Sequence, residues 1–106
     1  MLKLHVEHEN PATTVIHCTG EVDVATCSKL IDAFDRLMPD APGIRVDMRR
    51  VSFIDSTGIG CLLHAAIVAA AQDIPFEVVP GEATMHFIRR SGLGNRLPLR
   101  VGDGDA

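Results

Sequence analysis

The sequence predicts one α/β domain, a mixed β-sheet of about five strands packed by three to four helices. The hydrophobic period alternates along the chain between a two-residue and a helical repeat. Breaks containing Pro, Gly or Asn separate the periodic runs. The resulting order, β-β-α-β-α-β-α-β, joins one hairpin to strand–helix–strand units, so antiparallel and parallel pairing share a sheet.

Leu2, Leu4 and Val6 alternate with Lys3, His5 and Glu7, the pattern of a half-buried strand. Asn10-Pro11 breaks it, and Thr13 to Thr19 is again rich in β-formers before Gly20, so this first stretch reads as a hairpin. From Asp23 the period changes. Cys27, Leu30, Phe34, Leu37 and Met38 line one face of an amphipathic helix, with Asp23 near its cap. Pro39 and Ala41-Pro42-Gly43 stop it.

Ile44, Val46 and Met48 form a short strand, followed by a loop through Arg50. Phe53-Ile54 leads into Asp55-Ser56-Thr57-Gly58, and a second helix runs to about Gln72. Its apolar residues (Ile59, Leu62, Leu63, Ala66, Ile67, Ala70) cover a broad face and alanine fills much of the rest, so it is expected to be buried on most sides. Phe76 to Val79 is a short apolar strand closed by Pro80-Gly81. Glu82 to Ser91 is a shorter helix with Gly92 as its stop, and Leu97 to Val101 supplies a last strand before a frayed tail, residues 102–106.

The totals narrow the function. A chain of 106 residues holds one core, and its 46% hydrophobic and 23% charged content is ordinary for a globular fold. The net charge of −4 argues against nucleic acid or an anionic membrane as the main partner, because both call for a basic surface. Cys18, Cys27 and Cys61 show no C-x-x-C spacing and read as thiols in a reducing compartment, with no zinc site or disulfide framework. The N-terminus is too polar and alternating for a signal peptide, and the run Ile59 to Ala71, which contains His64, is too short to span a bilayer. A cytoplasmic protein without cofactor or metal is expected.

The chemistry concentrates in Phe53-Ile54-Asp55-Ser56-Thr57-Gly58-Ile59-Gly60. An acid and two hydroxyls open a helix, where unpaired backbone N–H groups and a partial positive charge are exposed. Ser, Thr and Asp also stand at such positions simply as caps. Gly58 and Gly60 each cost the helix roughly 1 kcal/mol relative to alanine, and their missing side chains allow close approach to Ser56 and Thr57. The same helix start would accept a phosphate. On these residues alone a plain cap and a functional site both remain open.

Gly20-Glu21-Val22-Asp23, Val46-Asp47-Met48 and the Phe53–Gly60 motif, in that order and spacing, resemble the STAS domain of the anti-sigma factor antagonists. The resemblance runs from the first hairpin to about Leu99 and makes residues 1–101 the STAS domain. In that family the serine after the motif's acid is phosphorylated by a partner that is both anti-sigma factor and serine kinase, and a serine phosphatase resets it. By position that serine is Ser56, with Thr57 as a second possible acceptor. The resemblance implies a partner surface of Gly20, Glu21 and Asp23 together with Asp55, Ser56, Thr57, Gly58, Ile59 and Gly60, in which Asp55 orients the loop and Gly58 gives access. It implies a non-enzymatic switch, monomeric or weakly dimeric, that frees a sigma factor while unphosphorylated. The alternative is a STAS scaffold or sensory module in a larger assembly without a phosphorylation switch.

Competing motifs are weaker. His5 and His8 have opposite parity and point to opposite faces of a strand, which disfavours a shared metal. His64 reads as a packed or edge residue, and Arg49-Arg50 and Arg89-Arg90 as solvated pairs. Asp55-Ser56-Thr57-Gly58 carries one residue more than the Asp-Thr-Gly of aspartic proteases. No G-x-S-x-G elbow makes Ser56 a nucleophile. Asp47 lacks the acidic pair of a phosphoacceptor receiver domain.

Overall fold

The computed structural model describes residues 1–93 and 96–100. Strands β1 (Leu2–Asn10) and β2 (Thr13–Val22) form the expected hairpin, antiparallel from Leu2 opposite Gly20 to Asn10 opposite Thr13. Helix α1 (Cys27–Leu37) and a short 3-10 turn (Met38–Asp40) lead to β3 (Ile44–Ile54), which lies parallel to β2. Helix α2 (Ser56–Ala71) crosses to β4 (Phe76–Val79), parallel to β3, and α3 (Glu82–Ser91) follows. The sheet order is β1-β2-β3-β4.

The strand alternation explains the layers. Ile16 and Cys18 of β2, and Ile44, Val46 and Met48 of β3, are buried with Leu30 and Phe34 of α1 and Ile59, Leu62, Ala65 and Ala69 of α2. The Phe34 ring meets Phe76 edge-on with centroids 5.9 Å apart, closing the core towards β4. The intervening strand residues build a polar ladder on the opposite face. His17 bridges Glu7 of β1 (2.7 Å) and Asp47 of β3 (2.8 Å), and Arg49 reaches back to Asp47 at 2.9 Å. Next to it, Arg45 links Glu9 and Glu77, both at 2.7 Å. Burial alone would raise the Asp47 carboxyl, but hydrogen bonds from Arg49 and His17 outweigh it and hold its pKa at about 2. The hydrogen bond to Glu7 raises that of His17 above its ordinary value.

Four readings of the chain need correction. The segment through Arg50 is no loop: β3 runs unbroken from Ile44 to Ile54. Register shifts against β2 between His17 and Thr19 and between Gly20 and Glu21 break the alternation there and mask the strand. In place of a fifth strand, Leu99 makes an isolated parallel bridge to Val78, held by Val78 N–H to the Pro98 carbonyl (2.9 Å) and Arg100 N–H to the Val78 carbonyl (2.8 Å). The described sheet therefore has four strands, beside three α-helices, and Val101 and the tail lie outside the described residues. Helix α2 is not buried on most sides, since Gly60, His64, Ala70 and Ala71 are exposed and Ile67 is 68% exposed. Its alanines made an outward face look apolar enough to bury. Finally, β2 continues past Gly20 to Val22, carrying the sheet up to the motif.

Candidate functional site

The site stands where β2 and β3 end side by side, Glu21 opposite Phe53 and Val22 opposite Ile54. The Asp55 N–H donates to the Val22 carbonyl at 3.3 Å, which ties the turn to the neighbouring strand. Asp55 is the N-cap of α2: its backbone is extended and its Oδ1 accepts the Gly58 N–H at 3.0 Å. Ser56 and Thr57 thus occupy the first helical turn without serving as its cap. Both are exposed, and neither hydroxyl has a hydrogen-bond partner among the described residues.

The two motif glycines differ. A Cβ on Gly58 would stand 2.6 Å from the Val22 carbonyl oxygen and 2.8 Å from Ile54 Cγ1, so its bare backbone lets the helix start press onto the strand ends. Gly58 and Ile59, expected in the partner surface with Gly58 giving access, are both buried. They set the height of the turn. Gly60 has nothing within 4 Å of a built Cβ and is exposed one turn beyond Ser56.

The β2–α1 turn lies at the same end of the sheet. Gly20 has φ +117°, and a Cβ there would collide with the Met1 carbonyl, so this position requires glycine. Glu21 is exposed, whereas Asp23 turns inward: its Oδ1 accepts the N–H groups of Ala25 and Thr26, both at 3.0 Å. Thr26 Oγ donates to the Glu21 carbonyl at 2.7 Å and locks the turn. Asp23 therefore shapes this loop one turn ahead of α1, whose N-cap is Thr26.

Two exposed apolar residues outside the expected partner surface belong to this end. Val24, on the turn, is 75% exposed, and Phe53, two residues before Asp55, is 50% exposed. In the sequence Val24 sits outside the helical period that starts at Cys27, and Phe53 opens the motif as a strand residue. From Asp55 a groove of about 980 Å³ runs between β3 and α3, walled by Phe53 and Phe87 and edged by Arg49, Arg89 and Arg90.

Other candidates stay apart. His5 stacks on His17 (centroids 5.9 Å) on one sheet face, whereas His8 pairs with Thr14 of β2 at 3.3 Å. No cluster of three or more metal-ligating side chains occurs among the described residues, and no described helix is long and apolar enough to cross a membrane. Burial pushes the Cys18 thiol up to about 12 and the Cys61 thiol to about 11, which keeps both protonated.

The motif that resembles the STAS domain thus stands at an acid-capped helix start with two exposed hydroxyls, at the end of a mixed sheet. The chain belongs to this family: the model described as "Mlab, STAS domain" matches residues 5–100. An anti-sigma factor antagonist from Mycobacterium paratuberculosis is 25% identical, with TM-score 0.76, covering 99% of this chain and 90% of that one. The anti-sigma factor antagonist SpoIIAA in its unphosphorylated form is 21% identical, with TM-score 0.74 and coverage of 95% and 90%. Its phosphorylated Bacillus form gives TM-score 0.70 at 21% identity, with coverage of 95% and 94%. None of the curated proteins matches the chain.

Proposed function

We propose that this chain is an anti-sigma factor antagonist whose partner binding is switched by phosphorylation of Ser56. Unphosphorylated, it docks on an anti-sigma factor that is also a serine kinase and releases a sigma factor in the cytoplasm. The observation that carries this reading is the exposed, unengaged Ser56 hydroxyl at a helix start already capped by Asp55. A kinase can reach that oxygen without dismantling the cap. The structural likeness to SpoIIAA, known in both unphosphorylated and phosphorylated forms, supports the reading.

A phosphate on Ser56 adds about −1.5 to −2 charges at a helix N-terminus, which tolerates an anion. The fold is therefore little disturbed. Against a partner packed over Val24, Ser56 and Gly60, the same group adds bulk, repulsion and desolvation. A loss of about 4 kcal/mol there lowers affinity roughly a thousandfold. A serine phosphatase would restore binding.

The test uses wild type, Ser56→Ala and Ser56→Asp with the partner kinase and ATP. Ser56→Ala should bind and accept no phosphate, and Ser56→Asp should bind weakly. Mass spectrometry placing the phosphate on another residue would remove the assignment.

One observation favours a second reading, a STAS module held constitutively in a larger assembly. Ser56, Gly60 and Ile67 share one face of α2 by their four- and seven-residue steps, and Ile67 is 68% exposed, as for a standing contact. On that reading Ser56→Asp binds as wild type does, and Ile67→Asp loses the partner.

A further inference from the structure

We infer that β1 is a self-complementary edge, and that the chain pairs with a second copy of itself along this strand, about a two-fold axis through Val6. Among the described residues β1 has one neighbour in the sheet, β2. The Glu21 N–H donates to the Met1 carbonyl, so the pairs that exchange hydrogen bonds with β2 are the odd residues of β1. The even residues Leu4, Val6 and His8 then aim their N–H and C=O groups outward. The Leu2 carbonyl confirms this parity, because Lys29 Nζ of α1 caps it from outside at 2.7 Å.

Antiparallel pairing of two such edges must place even residues opposite even ones. Three registers meet that condition near the middle of the strand. Centred on His5, the pairing needs the Leu2 carbonyl that Lys29 occupies, and sets His5 against itself. Centred on Glu7, it sets two like carboxylates face to face, which is destabilising. Centred on Val6, it places Lys3 opposite Glu9 and His5 opposite Glu7, each twice by symmetry. These odd positions are the non-hydrogen-bonded sites, where cross-strand side chains approach most closely. On the helix side, the half-buried Leu4 and Val6 lie along the junction and become covered.

The charges on β1 therefore act differently from edge residues that merely repel. Glu7 and Glu9 each use one oxygen on His17 or Arg45 and keep the second for the facing strand. The register shift between His8 and Asn10 falls at Glu9, the last residue that the pairing uses, so the paired stretch is short and the association is reversible and concentration-dependent. Two four-stranded sheets become one, and the two Ser56 turns, at opposite ends of it, both stay open. Such a dimer presents two docking surfaces at once.

Sedimentation equilibrium of the full chain from about 1 μM to about 1 mM tests the pairing. The expected result is a monomer–dimer equilibrium that Val6→Lys abolishes, because two ammonium groups then meet on the axis. Circular dichroism checks that this variant is folded. Lys3→Glu and Glu9→Lys should each weaken association about tenfold, and the double variant should return to within about threefold of wild type. A monomer throughout the range overturns the inference. So does a Val6→Lys dimer as tight as wild type, or a double variant no tighter than either single one.

Discussion

Substituting Gly58 by alanine, with Gly60→Ala as its counterpart, isolates what holds the start of α2 in place. Both changes add one methyl group to the same helical turn, and both raise helix propensity by about 1 kcal/mol. At Gly60 the methyl group meets open space, so stability should rise by about 0.5–1 kcal/mol. At Gly58 it meets the Val22 carbonyl oxygen at 2.6 Å, Ile54 Cγ1 at 2.8 Å and Val22 Cγ1 at 2.9 Å. A backbone oxygen cannot swing aside, and the Val22 carbonyl also accepts the Asp55 N–H. Contacts this short against a fixed backbone oxygen take the upper part of the overpacking range, about 2–3 kcal/mol, and the propensity gain of about 1 kcal/mol leaves a net loss of about 1–2 kcal/mol. For a domain of this size that lowers Tm by roughly 5–10 °C, against a rise of about 3–5 °C for Gly60→Ala. Thermal and urea unfolding of the three proteins under one buffer condition measures both. If Gly58→Ala is as stable as wild type, or if both variants shift together, the close approach does not fix the height of the Ser56 turn.

Two further outcomes follow from the same geometry. Asp55→Ala removes the side-chain acceptor of the Gly58 N–H and should cost about 1 kcal/mol, most of which Asp55→Asn should recover; equal stability of Asp55→Ala and wild type in urea titrations would show that the cap is not a determinant. The ladder Glu7–His17–Asp47 makes stability depend on pH at two ends. Because the folded-state pKa of His17 is raised, its contribution is complete below 6.5 and disappears as pH rises through the folded value, so the gap between wild type and His17→Gln should narrow towards alkaline pH. Asp47 has the opposite sign: held at about 2 against an ordinary 3.8, it contributes above 3.8 and fades as pH falls towards 2, a loss of about 2 kcal/mol. Urea midpoints of wild type, His17→Gln and Asp47→Asn across pH read both windows. Parallel midpoint curves would mean that the ladder carries no titrating stability.

Much of the fold was legible because its cues are local. Leu2, Leu4 and Val6 announce β1, Asn10-Pro11 its turn, and the spacing of Cys27, Leu30 and Phe34 the first helix. The features that went astray depend on neighbours. Arg49 and Arg50 look like a loop until the register shifts against β2 show how β3 accommodates two charged residues within one strand. Ile67, Ala70 and Ala71 look buried until the sheet and α1 are seen to cover the other side of the helix. Leu97 to Val101 has the composition of a strand, yet its described part contributes one bridge.

At the candidate site the division is sharper. The sequence alone determined that an acid, two hydroxyls and two glycines open a helix after a strand, because helix periods and capping preferences are properties of adjacent residues. Only the tertiary structure decided which of these groups face outward. Asp55 and Gly58 face the strand ends, Asp23 is consumed by its own turn, and Ser56, Thr57 and Gly60 are left open beside Val24 and Phe53. Exposure follows from what two strands and a second turn, distant in sequence, bring against the helix start, and no local pattern encodes that.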